Sequence, residues 1–270
     1  MKLKIWQVDA FASMPLEGNP AAIVPLERWL EAELMQRIAG ENNVSETAFF
    51  VRTAPGAYDL RWFTPQAEID LCGHATLASA HIVLHSLEPD LETVRFQTRS
   101  GELTVTREPN GGGRMSLPAD LVTPYDGPPD AAARIGTALG VAAPHTLLRG
   151  QKFMAVWDDP GIIRGLAGPG AIAPVLEALG LWSLIVTAPG DRDYDFVSRF
   201  FSIGYGIPED PVTGSAHCAL TPYWAKQLGK KVLRARQVSA RGGDLICTDD
   251  GMRTIIQGDC ALYLTGEIEI

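Results

Sequence analysis

Two segments of the chain place acidic, glycine and small residues in the same order. The first reads "EIDLCGHATLA" over 68–78, and the second reads "EDPVTGSAHCAL" over 209–220. Gly73 and Gly214 occupy matching positions, each ahead of a run of small and apolar residues. A glycine at a helix start lets the backbone turn sharply and approach a ligand closely, and the free N–H groups there attract anions. The two segments therefore predict two helix starts that hold a small carboxylate-bearing substrate.

An ordinary structural role for the two glycines is the alternative. In that interpretation Gly73 and Gly214 begin two unrelated helices, and the nearby Asp70 and Asp210 cap them. Either segment alone fits this interpretation. Their repetition in one chain favours the ligand-binding role.

The elements around the two segments also repeat. Residues 73–87 are apolar or small on nearly every side, which is typical of a helix buried all round. Strand-like runs surround this helix, and the same order recurs in the second half, with Arg61 and Arg199 at equivalent positions. We predict an α+β fold of two pseudo-symmetric lobes that face each other across a cleft. Each lobe is expected to be a mixed sheet wrapped around a buried central helix.

A stretch rich in glycine and proline divides the chain. Residues 110–130 hold three consecutive glycines and several prolines, a composition typical of a connection. We therefore predict an N-terminal lobe over 1–113 and a C-terminal lobe over 114–270. The last strands of the second lobe are free to return to the first.

Composition and charge limit the kinds of molecule that the protein is expected to bind. The chain has 270 residues, 46% of them hydrophobic, which is enough for a sizeable core. Its net charge of -9 and its scattered basic residues do not indicate the clustered basic surface that nucleic-acid binding requires. The N-terminus lacks the apolar core of a signal peptide, and no run reaches the roughly 18 apolar residues of a membrane span. We expect a cytoplasmic protein with no nucleic-acid or membrane partner.

The four cysteines indicate neither a metal site nor a disulfide framework. They are far apart in the sequence and form no CxxC pair, so we expect reduced thiols and no bound metal. They are Cys72, Cys218, Cys247 and Cys260.

Four motifs in fixed order resemble those of a known family. They are "DAFAS" with "PLEGNPAA" near the N-terminus, "NNVSETAFF" around Glu46, "GHATLA" from Gly73 and "EDPVTGSA" from Glu209. The chain is similar over nearly its whole length to the PhzF-like isomerases of phenazine biosynthesis, which are related to diaminopimelate epimerase and proline racemase. The resemblance implies a two-lobed fold of the diaminopimelate epimerase type, with the active site between the lobes. It also implies a homodimer that works without a cofactor.

The resemblance implies roles for individual residues as well. The family's characterised reaction isomerises trans-2,3-dihydro-3-hydroxyanthranilate, and one glutamate moves a proton between carbons of the ring. By motif position that glutamate is Glu46. The other residues matched to the substrate site are His74 and Asp210, expected to act in catalysis, and Gly73, Gly214 and Ser215, expected to bind the substrate.

The chemistry of these residue types leaves alternatives open. A carboxylate in water is a weak base towards carbon, so Glu46 would need desolvation and donors such as Ser215 that spread the developing charge. Its local sequence fits a solvated charge at the start of an edge strand equally well. His74 either relays protons or serves as a structural hydrogen-bond partner. Asp210 either accepts a substrate proton and orients His74, or caps the second helix.

Two rival functions follow from the same segments. In the related epimerases a cysteine from each lobe precedes the glycine, and Cys72 matches the first position while Thr213 occupies the second. An unactivated hydroxyl cannot replace a thiol as a base, which disfavours a two-thiol epimerase. A one-base epimerase or dehydratase that uses Cys72 stays open, against a small buried thiol packed at the turn. A non-catalytic small-molecule binding protein would keep the helix starts without needing Glu46.

Overall fold

The protein divides into two compact units in a computed structural model that describes residues 1–191, 193–205 and 207–270, apart from the side chain of residue 205. The first unit comprises Met1–Leu117 together with Ile255–Ile270, and the second comprises Pro118–Thr254. No helix in these described ranges is both long and apolar enough to cross a membrane.

The helices and strands alternate along the chain. The strands are β1 Lys2–Ala10, β2 Asn19–Leu26, β3 Glu46–Ala54, β4 Ala57–Phe63, β5 Glu68–Ile69, β6 Thr93–Thr98, β7 Gly101–Arg107, β8 Gly113–Pro118, β9 Thr123–Pro124, β10 Thr146–Arg149, β11 Phe153–Val156, β12 Leu184–Pro189, β13 Phe196–Ser202, β14 Ile207–Asp210, β15 Val232–Gln237, β16 Gly243–Asp250, β17 Arg253–Gly258 and β18 Cys260–Glu269. The helices are α1 Ala32–Asn42, α2 Gly73–Ile82, α3 Ala131–Leu139, α4 Pro160–Gly165, α5 Ile172–Ala178 and α6 Gly214–Leu228. A π-helical turn, Val83–Leu87, extends α2, and a 3-10 turn, Ile203–Tyr205, follows β13.

The first unit wraps a mixed sheet around α2. Strand β1 pairs antiparallel with β18 and β2, β2 pairs parallel with β3, and β3 pairs antiparallel with β4. The sheet continues with a parallel β4–β6 pair and antiparallel β6–β7 and β7–β8 pairs. Helix α2 contacts β1, β2, β3, β7 and β18, and every residue in it except His81 is buried. Its alanines, serine and glycine let the surrounding strands approach closely enough to enclose it.

The second unit repeats this pattern of pairing. Strands β10 and β11 pair antiparallel, β11 and β12 parallel, and β12 and β13 antiparallel. A parallel β13–β15 pair and an antiparallel β15–β16 pair follow, and α6 packs against β15 and β16. The order of antiparallel and parallel pairs matches that of the first unit from β1 to β7. The predicted α+β fold of two similar halves, each with a mixed sheet and a buried central helix, is confirmed.

The same ion pair precedes the central helix of each unit. Arg61 in β4 contacts Glu68 through Nε–Oε1 at 2.7 Å and Nη2–Oε2 at 2.8 Å. Arg199 in β13 contacts Glu209 at 2.6 and 2.7 Å through the same atoms. Two parallel hydrogen bonds from a guanidinium to a carboxylate fix the relative orientation of both groups. Each pair therefore joins the strand before the helix to the short strand that leads into it.

Some boundaries and elements differ from the sequence-based expectation. The predicted connection over 110–130 contains β8 and β9, because strand pairing, which a local composition does not reveal, orders part of this glycine-rich stretch. The run "QVSA" at 237–240 predicts a strand, but β15 ends at Gln237. The spacing of Leu30, Leu34 and Ile38 predicts a helix over 28–39, whereas α1 spans Ala32–Asn42. The structure adds the short elements α3, β10 and α4, which were not predicted from the sequence.

The turn between β1 and β2 depends on Gly18. Its φ is +64°, and a Cβ atom there would lie 2.2 Å from the backbone oxygen of Ala10. Asp9 stabilises the same turn, because its Oδ2 accepts a hydrogen bond of 2.8 Å from the backbone N–H of Leu16. The turn ends at Asn19, the first residue of β2.

We predict that Gly18→Ala destabilises the protein far more than Gly229→Ala. Gly229 has the same φ of +64° but nothing within 4 Å of an added Cβ. Gly229→Ala should lower the free energy of unfolding by about 1–2 kcal/mol through left-handed strain alone. Gly18→Ala should lower it by about 2–5 kcal/mol, because the clash adds to that strain. Urea denaturation of the two variants measures the difference, and equal values would show that the turn relaxes around the methyl group.

Candidate active site

Glu46 is the first residue of β3, and its side chain is buried. It lies opposite Ala21 in the parallel β2–β3 pair, with 8% of the side chain exposed. The approach to β3 is set by two asparagines. Asn43 ends α1 in the left-handed conformation and donates its backbone N–H to Ala39 O, while Asn42 Nδ2 donates to Thr47 Oγ1 at 3.0 Å. The buried position excludes the alternative of a solvated charge on an edge strand.

His74 is the second residue of α2 and meets Glu46. Its ring nitrogen Nε2 lies 2.9 Å from Glu46 Oε2, and 4% of its side chain is exposed. The ring N–H does not point directly at the carboxylate, so neither atom completes an aligned hydrogen bond within the described part of the chain. The contact is therefore primarily one of charge, between two groups that are both shielded from water.

The other ring nitrogen of His74 faces Asn19 and Cys72. Asn19 Nδ2 lies 3.2 Å from His74 Nδ1, and Cys72 Sγ lies 3.5 Å from the same atom. With the amide nitrogen of Asn19 facing it, Nδ1 accepts and the ring proton is on Nε2, beside Glu46. A protonated ring would need the amide oxygen of Asn19 there instead. The two orientations of the amide thus match the two protonation states of the imidazole.

The charges around His74 favour its protonated form. Burial disfavours the imidazolium, but the acidic neighbours Cys72 and Glu46 outweigh it and hold the pKa of His74 well above its ordinary value. Burial, followed by the charge of Glu46, raises the pKa of the Cys72 thiol. A neutral thiol is a poor base, so this environment opposes a chemical role for Cys72 in proton abstraction.

The same three side chains are the group with metal-ligand geometry found among the described residues. One ligand atom each from Glu46, Cys72 and His74 lies within 4.8 Å of the others. Carboxylate, thiolate and imidazole together suit zinc. However, Cys72 and Glu46 face different nitrogens of one imidazole, so a single ion on either nitrogen would require side chains to move. The arrangement fits a proton-transfer network better than a metal centre.

The candidate residues of the second unit form a separate polar cluster. Asp210 ends β14, is half-buried and accepts a hydrogen bond from the hydroxyl of Thr213. Gln237, which is fully buried, accepts from the backbone N–H of Thr213 at 2.9 Å and donates to Asp210 O at 2.7 Å. Gly214 and the half-buried Ser215 are the first two residues of α6.

Two details of the helix starts correct the sequence-based interpretation. The residues before the helices are Cys72 and Thr213, and among the described residues neither helix has a side-chain cap, so Asp70 and Asp210 do not cap them. Gly73 and Gly214 are not among the glycines with positive φ. Backbone conformation therefore does not require glycine at either position, in contrast to the sharp turn that the sequence suggested.

The structure brings some predicted residues together and adds others. Glu46 and His74 are in contact, while Asp210, Gly214 and Ser215 lie in the second unit. Sequence reasoning did not single out Asn19 or Gln237. Asn19 follows Gly18 in the motif "PLEGNPAA", but nothing in the local sequence around Gln237 indicates a role at the site. His217 and Cys218 are buried, and His217 Nδ1 donates to Thr213 O at 2.7 Å.

Comparison with known proteins identifies the family. The model of the PhzC-PhzF family, described as "Phenazine biosynthesis-like protein", matches residues 8–139 and 178–266. These ranges cover most of the chain and include the motifs around Glu46, Gly73 and Gly214. The chain belongs to this family of phenazine biosynthesis-like proteins.

Individual relatives agree with this assignment. An uncharacterized isomerase of Pseudomonas aeruginosa is 48% identical over 270 residues, covering the whole of both chains. The crystal structure of a PhzF-family phenazine biosynthesis protein from Enterococcus faecalis superposes with a TM-score of 0.92 at 42% identity, again over the whole of both chains. A hydroxyproline epimerase from Agrobacterium vitis matches 99% of this chain and 92% of its own with a TM-score of 0.60 at 11% identity, which shows the shared epimerase-type fold.

We predict that Glu46→Gln lowers the pKa of His74, because it removes the adjacent negative charge. A pH titration of labelled histidine side chains by NMR measures this shift. His217, in the second unit, is the internal control, since burial lowers its pKa to about 4 and Glu46 does not contribute to that shift. A histidine with a raised pKa stabilises the fold fully below its unfolded value of about 6.5, and the stabilisation is lost as the pH rises through the folded value. The stability advantage of the wild type over Glu46→Gln should therefore shrink with rising pH, and an advantage independent of pH would contradict the coupling.

Proposed function

We propose that this protein is an isomerase that removes a proton from one carbon of a small carboxylate-bearing substrate and returns it to another, without a cofactor. The observation that carries the proposal is the contact between Glu46 and His74, two buried ionisable side chains 2.9 Å apart. Membership of the phenazine biosynthesis-like family and the isomerase name of the Pseudomonas relative support the same reaction class.

Glu46 has the surroundings that a carbon base requires. Only 8% of its side chain is exposed, so little water competes with a substrate for the carboxylate. Within the described residues Oε2 has no aligned donor, so its lone pair is available to accept a proton. In the proposed cycle the C–H electron pair stays on the substrate as Glu46 takes the proton. The neutral acid then donates the same proton to a different carbon, which restores the carboxylate.

His74 stabilises the charged states of this cycle. Its imidazolium, favoured by the surrounding charges, lies 2.9 Å from the Glu46 carboxylate and is its positive partner. Once Glu46 is neutral, the positive charge remains beside the site where negative charge has developed, which is electrostatic stabilisation of the intermediate. Asn19 holds the ring from the Nδ1 side and limits its rotation. His74 is therefore assigned to positioning and charge, and Glu46 to proton transfer.

The substrate is expected to be small, anionic and cyclic. Trans-2,3-dihydro-3-hydroxyanthranilate, which carries a carboxylate next to its reacting ring carbons, fits this class. The first turns of α2 and α6 have backbone N–H groups without intrahelical partners, and such groups bind carboxylates. Gly73, Gly214 and Ser215 are assigned to this binding, and Asp210 to a substrate amine or hydroxyl. We further propose a cytoplasmic homodimer with no nucleic-acid or membrane partner.

We predict that Glu46→Gln lowers the isomerisation rate by about 10²–10⁴-fold, the range typical of a lost general base. Proton NMR in deuterated water with trans-2,3-dihydro-3-hydroxyanthranilate and related cyclic carboxylates follows both isomerisation and ring deuteration. Glu41→Gln, an exposed change in α1, is the matched control and should react at the wild-type rate.

Cys72→Ala separates this proposal from the thiol alternative. Turnover that survives Cys72→Ala but not Glu46→Gln supports the glutamate mechanism. Exchange lost only with Cys72→Ala would assign the chemistry to the thiol. Substrate binding without exchange in the wild type would instead indicate a binding protein.

A further inference from the structure

Lys152 is a half-buried lysine in the second unit whose ammonium group has no carboxylate of the described residues within ion-pair distance. It stands immediately before β11, and Nζ lies 5.9 Å from the centre of the Phe200 ring. In residues 1–191, 193–205 and 207–270 it forms neither an ion pair within 4 Å nor a side-chain hydrogen bond. A partly desolvated ammonium without such a partner is energetically unfavourable and calls for an explanation.

The backbone around Lys152 is held in place by Asp120. The carboxylate of Asp120 accepts hydrogen bonds from the backbone N–H groups of Gln151 at 2.9 Å and Lys152 at 3.2 Å. It also packs so closely on Gly150 that a Cβ there would lie 2.2 Å from Oδ1. The carboxylate of Asp120 thus holds the backbone of Lys152 and forms no ion pair within 4 Å with its ammonium.

The side chain of Lys152 lies beside the start of α6. Phe200, under its ammonium, pairs with Asp210 across the β13–β14 pair. The ionisable groups that act on Lys152 are Cys218 in α6, Asp120 and Asp210, yet burial outweighs their attraction and lowers the pKa of Lys152. The carboxylate of Asp210 already accepts the hydroxyl of Thr213. The ammonium therefore lies beside the polar cluster of the second unit. Its N–H groups have no hydrogen-bond acceptor among the described residues.

The internal repeat gives a second, independent reason to assign a role to Lys152. In the first unit, the loop between β1 and β2 supplies Asn19 to His74 at the start of α2. In the second unit, the loop between β10 and β11 supplies Lys152 to the region at the start of α6. The equivalent loop of each half thus places a polar side chain near the start of the central helix. In the first unit this side chain is the neutral amide Asn19, and in the second unit it is the cation Lys152.

We propose that Lys152 is an anion-binding residue of the second unit and takes the carboxylate of the substrate. A carboxylate would provide the counter-ion that the ammonium lacks. The inference rests on the proposed function for the identity of its ligand, but not for the existence of the anion site. It assigns substrate binding to a residue outside the glycine motifs and leaves proton transfer to Glu46.

Binding measurements without turnover test this proposal. Anthranilate, benzoate and formate serve as carboxylate probes, and aniline is the matched ligand without a carboxylate. Their dissociation constants are measured by NMR line shape and calorimetry for the wild type, Lys152→Met, Lys152→Arg and the control Lys226→Met, an exposed lysine on α6. Lys152→Met should weaken carboxylate binding about 10- to 100-fold, the range for a lost charged hydrogen bond. Lys152→Arg should restore part of it, and Lys226→Met and the affinity for aniline should not change.

The outcomes separate this inference from the isomerase proposal. Carboxylate affinity that falls in Lys152→Met, even in a protein with no detectable isomerisation, supports the anion site. Equal affinity in Lys152→Met and wild type would overturn it, and so would a wild type that binds none of the three carboxylates at tens of millimolar. A parallel loss of aniline binding, or a Lys152→Met protein with altered urea denaturation, would show that Lys152 acts through packing and would also overturn it.

Discussion

The complete burial of a helix inside a curved sheet is the constraint on which the rest of the structure depends. Helix α2 can be enclosed because its side chains are small, and enclosure leaves the N–H groups of its first turn without water. Polar groups must therefore collect at that end. In the first unit the buried His74 lies at this end, in contact with the carboxylate of Glu46 and the amide of Asn19. The location of the chemistry follows from the packing of the helix.

The two halves use one scaffold for different purposes. The ion pairs Arg61–Glu68 and Arg199–Glu209 keep the approach to the central helix alike in both. The residues at the helix start have diverged, with Cys72 and His74 in one half and Thr213 and Ser215 in the other. The first start holds a histidine and a glutamate in contact, and the second holds a hydrogen-bonded aspartate, threonine and glutamine. The division of labour between base and ligand binding that we propose is consistent with this divergence.

Much of the fold could be predicted from local sequence, because residue type and spacing report directly on burial. The small, apolar residues 73–87 predicted the enclosed helix, and the repeated segments predicted the second one. The strands β8 and β9 were not predicted, because the glycines and prolines around them are typical of a connection and do not reveal the pairing with β7 and β10. The contact of Asn19 with His74 joins residues far apart in the sequence, and the isolation of the Lys152 ammonium depends on surroundings that only the folded chain supplies.

The return of the chain to its first unit has a consequence for biosynthesis. Strand β18 pairs with β1 along its length, from Ala10 opposite Cys260 to Lys2 opposite Glu269. The N-terminal strand therefore has no partner on this edge until residues 260–269 leave the ribosome, whereas residues 118–254 emerge earlier. Unpaired strand edges are prone to misassociation during folding. The nascent first unit therefore passes through a vulnerable period, with β1 uncovered on one side, that ends only once β18 has emerged.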